Sequence, residues 1–98
     1  LSERHDDHQR EMQAMLAEAW NTAHRTAELE RFYETDQLPL AEQSVTAALL
    51  GWRSNRAMFD EVVMARRLAL DTRMKHLRLA ADRALAQHEI DYLAGDAR

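Results

Sequence analysis

The chain has no cysteine, so it cannot build a disulfide, a CxxC redox pair or a thiolate metal site. Glycine occurs twice and proline once in 98 residues, too few for the turns that a sheet of short strands needs. No stretch approaches the roughly 18 apolar residues of a membrane-spanning helix. Lysine and arginine are interspersed with acidic residues and the net charge is only -4, which leaves no basic footprint for nucleic acid or an anionic membrane. Glycine-rich phosphate loops are absent as well.

What remains is rich in Ala, Leu, Glu, Arg and Gln, the composition of long helices. A chain of this length is one domain or less, and a single hairpin of helices buries a thin seam that calls for partners. It opens at Leu1 instead of Met, already in a charged helical pattern, which suggests a segment of a longer protein. The expected fold class is all-α, a long antiparallel hairpin with helix one over about residues 3 to 52 and helix two over about 57 to 94.

Residues 1 to 11 are almost wholly polar, with Ser2 as a candidate helix cap. From Met12 an apolar row appears at Leu16, Trp20, Ala23 and Ala27, and a second face carries Met15, Ala19, Leu29 and Tyr33. Pro39 interrupts this pattern. Either helix one ends near Asp36 and another starts with Pro39 in its first turn, or one helix continues through a kink. The rhythm resumes at once with Ala41, Val45, Ala48, Leu49 and Trp52, which favours the kink.

The only good reversal is Arg53, Ser54, Asn55 and Arg56, where Asn55 tolerates the left-handed backbone of a helix end. Helix two follows, with Gly95 as a stop signal. At about 100° per residue, Phe59, Val63, Leu70, Met74, Leu77, Ala81, Leu85 and Tyr92 share one stripe. Met64, Leu68, Leu79, Ala86, Ile90 and Leu93 form a second, well separated one. A helix with two apolar stripes sits between two neighbours, as in a bundle or a closed barrel of helices. The first stripe is the expected hairpin seam, with Val63, Leu70, Leu77, Ala81 and Leu85 against Trp20, Ala27, Val45 and Leu49.

Few constellations suggest chemistry. His5 and His8 could place two imidazoles on one helix face at metal-ligand distance, but a fraying polar terminus is the preferred explanation. His24, His76 and His88 are dispersed, and His88, on the main stripe, is expected to make an inter-helix hydrogen bond. The Glu-x-x-His pairs of a di-iron bundle are missing, and Ser2, Ser44 and Ser54 have no base in a recognisable motif. No enzymatic role, cofactor or metal is expected. Arg53, Arg56, Arg66, Arg67 and Arg73 make the tip region locally basic, balanced by Asp60, Glu61 and Asp71.

Tyr33, then Leu38-Pro39-Leu40-Ala41-Glu42-Gln43-Ser44, Ala47-Ala48, Trp52, Asn55, Phe59, Val62-Val63-Met64-Ala65-Arg66-Arg67, Leu70, Leu77, Ala81 and Leu93-Ala94-Gly95 together resemble the outer-membrane efflux proteins of the TolC type. That family's tip reads aromatic-x-x-Gly, an apolar residue four positions on, then Val-Leu-Asp-Ala-Gln-Arg. Trp52, Asn55, Phe59 and the hexapeptide from Val62 to Arg67 stand at those places. The likeness covers residues 30 to 95, and Leu-Pro-x-Ala-Glu is closer to the branch serving heavy-metal and related resistance-nodulation-division pumps.

The resemblance implies an outer-membrane homotrimer with a β-barrel and a periplasmic helical tunnel. This chain would be its second-repeat hairpin, lying in the periplasm and not itself spanning the membrane. Its tip would dock a periplasmic adaptor protein, with an inner-membrane pump in the full assembly. Trp52, Arg53, Ser54, Asn55, Arg56 and Phe59 would form the docking surface. Met64 replaces the family's Asp and Ala57 stands where some members carry a gating Arg, so Glu61 is the remaining acidic candidate for lining the pore. The rival expectation is a free-standing interaction module that dimerises into a four-helix bundle.

Overall fold

The computed structural model describes residues 2–96. The fold is an all-α helical hairpin. Helix α1 is Ser2–Phe32, a π-helical turn occupies Tyr33–Gln37, α2 is Leu38–Arg53 and α3 is Phe59–Asp96, with no strand among the described residues. The chain divides into a terminal unit, Leu1–Glu28 with Ala80–Arg98, and a tip unit, Leu29–Leu79.

In the tip unit the buried side chains are small. Ala41, Val62, Ala69 and Leu79 are buried, flanked by half-buried Leu38, Val45, Ala48, Leu49, Ala65, Thr72 and His76. On α3 the seam reads Val62, Ala65, Ala69, Thr72, His76, Leu79, a strict alternation of three and four. That is the spacing that keeps one line of side chains against a partner helix. In the terminal unit Ala19, Thr26, Ala86 and Leu93 are buried, with Met12, Leu16, Ala23 and Ile90 half-buried. Thr26 meets its own polar need, donating its hydroxyl to the Thr22 carbonyl at 2.7 Å.

The expected seam is therefore corrected. Val63, Leu70, Leu77, Ala81 and Leu85 are exposed, as is Trp20, while Ala27, Val45 and Leu49 are half-buried. The chosen stripe and the true seam lie roughly half a turn apart on α3 at 100° per residue. A two-helix hairpin can cover one line per helix, and the alanine-rich line wins because small side chains let the two backbones approach closely. Bulk pointed to the wrong side; the three-four spacing of smaller residues points to the right one.

Proline 39 neither breaks the chain nor sits in ordinary α-helix. It occupies the first turn of α2, directly after the π turn, and Leu38 donates its backbone N–H five residues back to the Tyr33 carbonyl. The wider turn relieves the crowding that a proline ring imposes on the carbonyl four residues before it. Helix one thus runs through to Arg53 as two α segments, and helix two begins at Phe59, slightly later than its sequence pattern implies.

Candidate functional site

The tip is built by a helix end that closes on itself. Asn55 has φ 60, the left-handed conformation. Its N–H donates to the Trp52 carbonyl at 3.1 Å and that of Arg56 to the Gly51 carbonyl at 2.8 Å. This pair of bonds is the Schellman arrangement, which satisfies carbonyls that a helix C-terminus would leave unpaired. Ser54 adds its hydroxyl to the Leu50 carbonyl at 2.7 Å. Ala57 also donates to Gly51, at 3.0 Å, so one carbonyl anchors two residues of the return path.

Gly51 is a tip residue that reading by motif misses. A Cβ placed there would lie 3.0 Å from the Ala57 Cβ, a tight approach at the point where the chain turns back. Its signal in the sequence is its position: one of two glycines, four residues before the left-handed Asn55.

The structure brings the expected docking residues together. Trp52 and Phe59 meet across the turn with ring centroids 5.2 Å apart and planes at 61°, an edge-to-face contact, yet each keeps about half its surface open. Arg53, Ser54, Asn55 and Arg56 lie between them and are all exposed. Asp60 and Glu61 occupy the first turn of α3, where the helix dipole favours a negative charge. Glu61 is exposed beside the tip.

Around the tip unit both helices carry apolar side chains away from the seam. On α3 these are Phe59, Val63, Met64, Leu68, Leu70, Met74 and Leu77; on α2 they are Leu40, Leu50 and Trp52. Leu40, Ala47 and Leu50 share a row on α2 with Gln43, and a shallow groove runs past Pro39, Glu42, Gln43, Thr46, Ala47 and Leu50. Between the arms Arg73 reaches Glu42 at 3.8 Å, an ion pair too exposed to add much stability.

The histidines separate into three situations. His5 and His8 line a pocket of about 350 Å³ in the terminal unit with Gln9, Met12, Gln13, Leu16 and Asp96. Among the described residues no group of three His, Cys, Asp or Glu side chains could hold a metal. His24 stacks on Trp20 at 6.1 Å and reaches Glu28 at 3.1 Å, a ladder along one exposed helix face. His88, expected in the seam, is exposed, while His76 takes a seam position and buries an Nε2 that has no hydrogen-bond partner. The reason is the same half-turn that separates the expected stripe from the observed seam.

Comparison with family models, with curated proteins and with solved structures returned no match. Among the described residues, no helix is long and apolar enough to cross a membrane.

Proposed function

We propose that this chain is a wall and docking hairpin of an outer-membrane efflux duct of the TolC type, working as a passive conduit component. The observation that carries this is the placement of bulk on α3. Val62, Ala69 and Leu79 close the hairpin, while Val63, Leu70, Met74 and Leu77 face the opposite way at 41%, 56%, 54% and 66% exposure. A helix apolar on two opposed sides is suited to a second neighbour, as a helix in a tunnel wall has. The row at Leu40, Ala47 and Leu50 gives the other arm of the tip unit the same character.

The tip supports the docking half of the proposal. Trp52 and Phe59 form an exposed aromatic pair held on a hydrogen-bonded turn, rimmed by Arg53 and Arg56. Rigid aromatic anchors flanked by arginine are the usual energetic centre of a protein interface. The residues that the sequence likeness places in a tip are thus adjacent in space. Glu61, two residues after Phe59 in the first turn of α3, is the carboxylate that a threefold assembly would repeat around the pore.

Binding of the purified chain to the helical hairpin of a periplasmic adaptor, measured by titration calorimetry, tests the proposal. Measurable affinity is expected, and Trp52→Ala with Phe59→Ala should weaken it about tenfold or more. No binding by the native chain, or equal binding by the double variant, overturns the docking role. If the chain instead forms only a dimer that ignores every adaptor hairpin, the four-helix interaction module takes its place.

A further inference from the structure

We infer that the π turn at Tyr33–Gln37 absorbs one extra residue in the first arm, and that it is the point at which α2 changes its phase against α3. Up to the end of the turn, the tip unit's half-buried positions on this arm are Glu30, Tyr33 and Gln37, spaced by three and four. That spacing leads to 40, 44 and 47. The positions actually covered are Leu38, Ala41, Val45 and Ala48, one residue later throughout. Gln37 and Leu38 are both half-buried, so the change of phase falls between them. Across the seam α3 continues through Val62, Ala65, Ala69, Thr72, His76 and Leu79 without a skip.

A π turn is how a helix holds one residue too many without leaving its path. Pro39 keeps it in place, because a regular α turn would set the proline ring against the carbonyl four residues back. Away from the tip, the seam positions of this unit include Gln37, Leu38, Thr72 and His76, three of them polar, with the His76 Nε2 unpartnered and the Thr72 hydroxyl turned to its own helix at Leu68. Few apolar side chains there hold α2 to one phase.

The second phase available to α2 places Leu40, Ser44 and Ala47 on the seam in place of Ala41, Val45 and Ala48. It covers Leu40, now about half exposed. Moving the extra residue toward the tip therefore exchanges two packings of one interface, a two-state element.

The test deletes Gln37 in a Pro39→Ala background, so that no proline is forced into regular helix. Deletion of exposed Lys75, which shifts α3 instead, is the control. Removing Gln37 makes both arms continuous. The thermal midpoint is expected to stay equal to that of Pro39→Ala or rise, and amide exchange over residues 38 to 53 to slow about tenfold. Deleting Lys75 is expected to lower the midpoint. A fall after Gln37 deletion as large as after Lys75 deletion, or exchange over 38 to 53 that does not slow, overturns the inference.

Discussion

At the scale of single residues, Asn55 shows how one backbone angle fixes a surface. Its left-handed conformation brings Trp52 and Phe59 onto the same side of the turn, and the Arg56–Gly51 hydrogen bond holds them there. Asparagine reaches this conformation at a modest steric cost, glycine at none, and a β-branched residue only under strain. Asn55→Gly should therefore leave stability unchanged or raise it by up to about 1 kcal/mol, and Asn55→Val should lower it by about 1–2 kcal/mol. Urea midpoints of the three proteins check this. The turn residue was readable from its chemical type, whereas the closeness of Gly51 and Ala57 that completes the tip shows only faintly, in the position of one of the two glycines and in small size.

At the scale of elements, α3 decides what holds the hairpin together. Leu79 is 7% exposed and Leu77 66%, two leucines two positions apart in the middle of the same helix. Leu79→Ala should cost about 2–5 kcal/mol, and Leu77→Ala should stay within about 0.5 kcal/mol in a dilute monomer. Comparable losses in chemical denaturation would show that the outward row also holds the hairpin. The helices and their turn were legible because long periodic stretches, a single proline and few αL-tolerant residues leave few alternatives. Which stripe faces inward was not. Hydrophobic bulk and helix-helix closeness give opposite answers here, and Ala65, Ala69 and Ala86 contribute by being small. The one-residue skip at Gln37 and Leu38 was hidden for a related reason, since the proline beside it gives a sufficient local explanation of the broken rhythm.

At the scale of the whole molecule, the same amino acids do two jobs. Small residues close each unit, and large ones are left for a neighbour: Val63, Leu70 and Leu77 in the tip unit, Trp20, Leu85 and Tyr92 in the terminal unit. A hairpin arranged in this way is incomplete until something covers it, which is the property expected of a wall element in a duct. That claim meets its most direct test in Val63→Glu, Leu70→Glu and Leu77→Glu combined, studied by sedimentation and circular dichroism over a range of concentrations. The native chain should associate reversibly, and the triple variant should be monomeric with its helical signal and dilute-solution melting temperature retained. A triple variant that unfolds would contradict the account, because the outward row would then be part of the hairpin's own core.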